Sequence, residues 1–139
     1  SETLRFWMEE GNSVTGVEVQ RANEARTHLF REVESWFTDI DLLVTPTLTR
    51  PAIAADHDPR EPIMLDNQTA DVPRASWYPY THPFNLSGHP AITVPCGFTS
   101  GGLPVGLQIV GPWLADAKVL HAAACFERAR PWADRRPAV

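Results

Sequence analysis

The most regular pattern of apolar residues begins after Thr15 and has the spacing of an amphipathic helix. Its apolar positions recur every three or four residues and are Ala22, Ala25, Leu29, Val33, Trp36 and Ile40. Glu18 follows Thr15 at the spacing of a capping box. Val14 and Val19 stand at the two positions of a hydrophobic staple. The pattern therefore predicts a helix over about residues 15–38 with one face buried in a core.

Short apolar runs bounded by proline and glycine predict three strands. Residues 42–44 are all apolar and are followed closely by Pro46, which is typical of a strand buried on both faces. Residues 91–94 and 105–110 have the composition of strands, and the sequence SGGLP between them predicts a hairpin turn. The alanine-rich residues 116–129 begin with an acid, Arg128 and Arg130 stand at their end and Pro131 follows, which predicts a final helix.

The long stretch between the first strand and the hairpin has a different character. Residues 46–80 are rich in proline and show no hydrophobic period. The sequence therefore predicts an irregular connection, which in compact domains is usually functional or disordered. The order helix, strand, loop, hairpin, helix predicts an α/β fold, with a partial sheet of about three strands flanked by helices, as a single domain over residues 1–139.

Composition and charge narrow the class of protein. The 139 residues suit one domain, and a net charge of −5 without a run of Lys or Arg argues against a nucleic-acid or anionic membrane surface. No apolar run approaches the roughly 18 residues of a membrane span. The two cysteines are too few for a disulfide scaffold. The N-terminal stretch is acidic and lacks the apolar segment of a signal peptide. We therefore expect a cytoplasmic protein with no nucleic-acid and no membrane partner.

The segment NLSGHPAITVPCG, residues 85–97, holds three residue types that can perform covalent chemistry: Ser87, His89 and Cys96. The serine lacks the G-x-S-x-G context that presents a nucleophile on a sharp turn. The cysteine follows a proline at the end of an apolar strand, where it is typical of a small hydrophobic residue. We therefore interpret the three residues as scaffold rather than as a nucleophile with its base.

The histidines and acidic residues lack the spacing of a metal site. The five histidines are spread along the chain, none of them forms an H-x-x-x-H pair, and there is no C-x-x-C pair. We interpret the sequence DHD at residues 56–58 as a solvated loop. Neither a metal nor another cofactor is expected.

Three segments, taken in chain order, resemble the C-terminal third of the amidase signature family. They are DLLVTPT, THPFNLSGHPAITVPCG and GLPVGLQIVGP, and the last contains Gln108 in family order. The family hydrolyses or transfers amides and includes the A-type component of the glutamyl-tRNA amidotransferase. The resemblance implies that this chain is the C-terminal part of a larger α/β/α fold with a mixed sheet. It also implies that the intact protein cleaves a carboxamide C–N bond.

The same resemblance points to catalytic groups that this chain lacks. In the family a serine nucleophile, a second serine in a cis peptide bond and a lysine base imply an acyl-enzyme mechanism, and both serines lie in a Gly/Ser-rich stretch. The chain contains no such stretch. Its single lysine, Lys118, stands in the predicted first turn of the last helix, where we expect solvent exposure and a charged side chain. We therefore expect the catalytic residues to lie outside this chain and the chain alone to be inactive.

The resemblance also implies residues close to the substrate. Thr81 is expected at the N-cap of a short helix, and Asn85 is expected to tie loops together through its amide. Trp77, Tyr78 and Tyr80 are expected to form an apolar or aromatic rim. Relatives that use glutamine typically carry an acidic residue where this chain has Tyr78, which implies a different amide donor here. Local packing and direct substrate contact both remain open for the five residues.

Two kinds of partner follow from this interpretation. One is an amide substrate, bound through the N-terminal part of the enzyme. The other is a second copy of the chain, because a sheet of few strands presents open edges that can pair with another chain. The alternative interpretation is a non-catalytic α/β module that binds a partner through its incomplete sheet.

Overall fold

The helices and strands follow the predicted order and include further short elements. The structure is a computed structural model and describes residues 2–135. In chain order its elements are α1 (Glu2–Gly11), α2 (Gly16–Trp36), β1 (Leu43–Pro46), β2 (Met64–Leu65), β3 (Gln68–Thr69), α3 (Pro73–Ser76), α4 (His82–Ser87), β4 (Ala91–Phe98), β5 (Pro104–Val110) and α5 (Asp116–Ala129). The fold is α/β, as the sequence predicts.

The main sheet has three strands in the described part of the chain, in the order β1-β5-β4. Both pairs are antiparallel, and β4 and β5 form the predicted hairpin. The mixed character implied by the family resemblance therefore does not occur among these three strands. Within residues 2–135, the outer edges of β1 and β4 have no strand beside them.

The two faces of the sheet carry two separate cores, because successive residues of a strand point to opposite faces. On one face, Val110 of β5 packs with Val33 of α2 and Phe84 of α4. On the other face, its neighbour Ile109 belongs to the same cluster as Ala123 of α5. Helices α2 and α4 thus cover one face, and α5 covers the other.

The prediction that residues 42–44 form a strand buried on both faces is wrong. Val44 in β1 is 54% exposed. Helix α5 packs on β4 and β5, whereas β1 lies at the edge of the sheet. The cover that α5 provides therefore ends before the outer strand.

The capping box at the start of α2 is confirmed. The Thr15 hydroxyl oxygen accepts a hydrogen bond from the Glu18 N–H at 3.3 Å, and the Glu18 carboxylate accepts one from the Thr15 N–H at 2.8 Å. The buried face is shorter than predicted, because only Val33 is buried and Leu29 is half-buried. The other apolar positions of the predicted pattern and both staple residues are exposed: Ala22, Ala25, Trp36, Ile40, Val14 and Val19. The apolar pattern thus extends beyond the part of the helix that the sheet and α4 cover.

Helix α5 begins and ends where the sequence predicts, with Asp116 in its first turn and Arg128 in its last. Both charges suit the helix dipole. Across residues 2–135, every helix is too short or too polar to cross a membrane.

Residues 46–80 are not irregular throughout, which corrects the sequence prediction. Strands β2 and β3 form a small hairpin, and the turn residues Asp66 and Asn67 have φ angles of 48° and 62°. Positive φ at both central positions is the geometry of a type I′ turn, and Asn and Asp tolerate it better than most residues. The short helix α3 follows this hairpin.

Candidate functional site

The five residues expected near the substrate lie on one stretch of chain, from the end of α3 into α4. A buried amide fixes this stretch above the sheet. Gln108 of β5 is 3% exposed, and its Nε2 donates hydrogen bonds to the Tyr80 carbonyl and to Thr45 Oγ1, both at 3.0 Å. A buried amide needs such partners. Sequence reasoning missed this role, although a single polar residue within the apolar run GLQIVG was the available signal.

Trp77 joins the end of the long connection, residues 46–80, to its beginning. Its indole N–H donates to the Arg50 carbonyl at 3.1 Å, and its own carbonyl accepts from the Thr49 N–H at 2.9 Å. The Thr49 hydroxyl also donates to the Ser76 carbonyl at 2.6 Å. The indole N–H thus takes part in a bond that joins this stretch to the beginning of the long connection.

Tyr80 is the one of the five that lines a groove beside this stretch. The groove has a volume of about 660 Å³, and its walls include Thr49, Arg50 and Met64. Tyr80 is 41% exposed. Tyr78 makes a different contact, because its ring meets the His82 ring edge-on at 5.4 Å. The expected aromatic rim is therefore divided between a groove-lining ring and a packed one.

Thr81 occupies the N-cap position of α4, but its hydroxyl does not cap the helix. The backbone of Thr81 is helical, with φ −89° and ψ −28°, and the hydroxyl donates to the Tyr78 carbonyl at 2.9 Å. A capping side chain needs an extended backbone and an N–H at the second or third helical position. Pro83, at the second position, has no N–H. The expected capping role is therefore wrong in detail.

Asn85 lies on α4 and is exposed. Its backbone N–H donates to the Thr81 carbonyl at 3.1 Å. Within residues 2–135, its side-chain amide makes no hydrogen bond, so the expected tie between loops does not form among the described residues. The amide is instead presented to solvent.

Ser87, His89 and Glu34 form a continuous hydrogen-bonded series that links α4 to α2. Nδ1 of His89 lies 2.9 Å from Ser87 Oγ, and Nε2 lies 2.8 Å from Glu34 Oε2. A carboxylate can only accept, so this network assigns the ring proton to Nε2 and lets Nδ1 accept from the Ser87 hydroxyl. The connectivity is that of a nucleophile, a base and a carboxylate. However, Ser87 and His89 are 5% and 4% exposed, so the hydroxyl is shielded from a substrate.

Aromatic rings enclose His89. The ring centroids of Phe30 and Phe37 lie 5.3 and 5.7 Å from that of the imidazole, and that of Trp113 lies 6.4 Å away. The backbone N–H of Trp113 donates to Glu34 Oε2 at 3.1 Å. This bond is the largest cause of a lowered pKa of Glu34, and the bond from His89 is the second cause. The cluster joins α2 to the segment after β5. This packing supports the interpretation of Ser87 and His89 as scaffold.

Cys96 and Lys118 each have a local partner. Cys96 lies at a register shift in β4, is exposed, and donates its thiol proton to the Val105 carbonyl at 3.4 Å. Lys118 Nζ lies 2.6 Å from Asp41 Oδ1, and this hydrogen-bonded ion pair lowers the pKa of Asp41. Lys118 is thus held in an ion pair at the surface, an environment unlike the buried site in which a lysine acts as a general base.

The side chains of His57 and Asp58 in the DHD segment form contacts with residues 60 and 61 of the same loop. The Arg60 guanidinium donates to both oxygens of Asp58 and lowers the pKa of that carboxyl to about 2. His57 Nε2 lies 3.2 Å from the Glu61 carbonyl oxygen. Among the residues that the structure describes, no three His, Cys, Asp or Glu side chains are grouped to hold a metal ion.

The sequence matches the family model described as Amidase over residues 1–120. The chain belongs to the amidase family. It is 41% identical over 133 residues to an acylamidase of Rhodococcus erythropolis, in a match that covers 94% of this chain and 27% of that protein. It is 36% identical over 119 residues to the A-type component of the glutamyl-tRNA(Gln) amidotransferase of Synechococcus elongatus, covering 86% and 23%. The chain thus spans about a quarter of the length of these curated relatives.

Solved structures agree with this assignment. A bacterial aryl acylamidase belonging to the amidase signature enzymes superposes with a TM-score of 0.82 and 30% identity, over 99% of this chain and 29% of that chain. A 6-aminohexanoate cyclic dimer hydrolase superposes with a TM-score of 0.74 and 32% identity, over 93% and 28%. The described helices and strands therefore correspond to part of the amidase signature α/β fold.

Proposed function

We propose that this chain is the C-terminal part of an amidase that cleaves carboxamide C–N bonds through an acyl-enzyme, with the two serines and the lysine supplied from outside residues 1–139. In such a mechanism the serine oxygen attacks the amide carbonyl and gives up its proton, the amine leaves protonated, and water hydrolyses the resulting ester. The observation that carries the proposal is the 41% identity to an acylamidase over nearly the whole chain.

The chemistry of the described residues supports an outside origin of the catalytic groups. Ser87 is buried and donates to His89, and Lys118 is paired with Asp41. The sequence most like a Gly/Ser-rich stretch, TSGG at residues 99–102, lies in the turn between β4 and β5. None of these groups combines an accessible nucleophile with a neutral base, which nucleophilic catalysis requires.

On the substrate side, we propose that the stretch from Trp77 to Asn85 forms one wall of the binding site. Tyr80 is the strongest candidate for direct contact, because it is exposed and lines the groove. Trp77 and Thr81 hold the stretch in place. Tyr78 presents a phenol packed on His82 rather than a carboxylate that could pair with the ammonium group of glutamine. The names of the relatives and this aromatic character favour an aryl or alkyl acylamide as substrate.

A chimera tests the proposal. The chain would replace the matching 133-residue segment of the Rhodococcus acylamidase, and the unaltered acylamidase would serve as the control. We expect the chimera to hydrolyse 4-nitroacetanilide in preference to glutamine, and the chain alone to give only background rates. The Tyr80→Ala chimera should show a raised KM for the aryl amide with a smaller change in kcat.

Two results would contradict the proposal. A folded chimera without amide hydrolysis would favour the non-catalytic partner-binding module. Turnover by the chain alone that is abolished by Ser87→Ala or Cys96→Ala would assign catalysis to the NLSGHPAITVPCG segment.

A further inference from the structure

A groove of about 330 Å³ separates the end of α5 from the outer end of β4. Its walls include Cys96 and Phe98 from the strand, and Arg130, Trp132 and Arg135 from the segment after the helix. The last three residues follow residue 120, where the match to the amidase family model ends. The groove is therefore formed in part by a segment that the family model does not account for.

The indole N–H of Trp132 lacks an acceptor. Its Nε1 is buried and has no hydrogen-bond partner within residues 2–135. Buried polar groups in folded proteins are nearly always paired, and leaving one unpaired is unfavourable. Because Trp132 belongs to the groove wall, a ligand bound in the groove is the acceptor that this donor could gain.

Two arginines line the same groove, and neither has a carboxylate partner in the described part of the chain. Arg135 lies over the Phe98 ring, with its guanidinium carbon 4.8 Å from the ring centroid, which restrains its orientation. Arg130 forms no ion pair among the described residues. Asp134, on the same turn, is exposed and is not part of the groove wall. Two arginines and the tryptophan with the unpaired donor thus line one groove of a chain whose net charge is −5.

We propose that this groove binds a small oxyanion, a phosphate or a carboxylate, through the guanidinium groups of Arg130 and Arg135 and the indole N–H of Trp132. All three groups are donors, and a guanidinium presents a planar fork that matches the oxygens of either anion. The amides proposed as substrates are not required for this binding. The site therefore stands independently of the proposed function.

The Trp132 indole N–H is a direct probe of the site. The chain has five tryptophans, so a nitrogen–proton NMR spectrum should contain five indole signals, and Trp132→Phe identifies the one of interest. Inorganic phosphate and acetate would be titrated separately at constant ionic strength. We expect the Trp132 signal to move and saturate with at least one of them, while the other four indole signals stay in place. The anion that saturates the signal at the lower concentration identifies the class of ligand.

Arginine variants test the assignment of the donors. Arg130→Gln and Arg135→Gln should each raise the dissociation constant of the anion about tenfold, since each removes a charged hydrogen bond. Arg130→Lys keeps the charge, loses the fork and should weaken binding less. Arg128→Gln is the matched control, because Arg128 lies on the same helix end but donates to Cys125 Sγ at 3.0 Å.

Two outcomes would overturn the proposal. The first is a Trp132 signal that moves with neither anion. The second is an equal loss of affinity in Arg128→Gln and Arg130→Gln, which would mean that positive charge attracts anions without a defined site. The four other indole signals report whether each variant is folded, and Arg130→Lys provides a second variant if Arg135→Gln is not.

Discussion

The carboxylate of Glu34 accepts two hydrogen bonds from groups that belong to distant parts of the chain. One comes from His89, which Ser87 and three aromatic rings enclose, and the other from the backbone of Trp113. One acidic side chain on α2 thus holds both the chain after α4 and the segment after β5. The residue types that suggest catalysis in the sequence are used here for docking a helix.

We expect Glu34→Gln to change how stability depends on pH. The two hydrogen bonds lower the pKa of Glu34 in the folded protein below its ordinary value of 4.5. A carboxyl with a lowered folded pKa contributes stability above its unfolded pKa, and that contribution is lost as pH falls through the folded pKa. Because the side chain is 42% exposed, the difference at pH 7 should stay below about 1.5 kcal/mol.

Urea unfolding between pH 3 and 7 measures this effect. The wild-type chain should lose more stability below about pH 4.5 than Glu34→Gln does, and the two curves should converge at the acid end. Glu32→Gln is the matched control, because Glu32 is exposed on the same helix and its carboxylate accepts no hydrogen bond within residues 2–135. Parallel curves for the wild type and Glu34→Gln would show that the carboxylate is not the group that docks α2.

At the scale of helices and strands, the sequence predicts best what is decided within a few residues. The capping box of Thr15, the bounds of α5 and the β4–β5 hairpin are confirmed because each depends on neighbouring residues. Which positions of α2 are buried depends instead on where the sheet and α4 end, so Ala22 is predicted inside and lies outside. For the candidate site, the resemblance to the amidase signature family singles out the stretch around Tyr80, whereas the hydrogen bond from Gln108 to the Tyr80 carbonyl requires the fold.

The approach of α5 to the sheet depends on a glycine. A Cβ added to Gly111 would lie 2.6 Å from Val119 Cγ2, and Val119 is buried and β-branched, so it cannot easily move aside. We expect Gly111→Ala to destabilise the chain by about 1–3 kcal/mol. Gly16→Ala is the contrasting variant, because nothing lies within 4 Å of an added Cβ in the first turn of α2. It should stabilise the chain by about 0.5–1 kcal/mol.

The urea midpoints of the two glycine variants test these stability changes. Gly111→Ala should have a lower midpoint than the wild type, and Gly16→Ala a higher one, with unchanged slopes. An unchanged midpoint for Gly111→Ala would mean that α5 shifts without loss.

The whole molecule exposes apolar residues on elements that have few neighbours. The apolar residues of α1 and of the start of α2 face solvent: Leu4, Phe6, Trp7, Met8, Val14, Val17 and Val19. The edge strand β1 adds Val44 at the uncovered border of the sheet. Isolated apolar side chains on a surface are normal, whereas a contiguous patch of several hundred Å² marks a contact surface. Because the chain spans about a quarter of its curated relatives, the sheet edges are candidates for pairing with the rest of an amidase.

We expect the chain on its own to self-associate through the edges of the sheet. Unpaired backbone groups on β1 and β4 can pair with a second copy, and burial of apolar area contributes about 25 cal/mol per Å². A patch of roughly 300 Å² would then favour association by several kcal/mol before entropic costs. Light scattering across a dilution series should show dimers or larger species that dissociate on dilution.

Val44→Lys places a charge on the edge strand and should raise the dissociation constant about tenfold, because charged edge residues oppose pairing. Val17→Lys is the control, because it makes the same change on the exposed part of α2. A monodisperse monomer at high concentration that binds no hydrophobic dye would contradict the prediction, and equal effects of the two lysine variants would move the contact from the sheet to the helices.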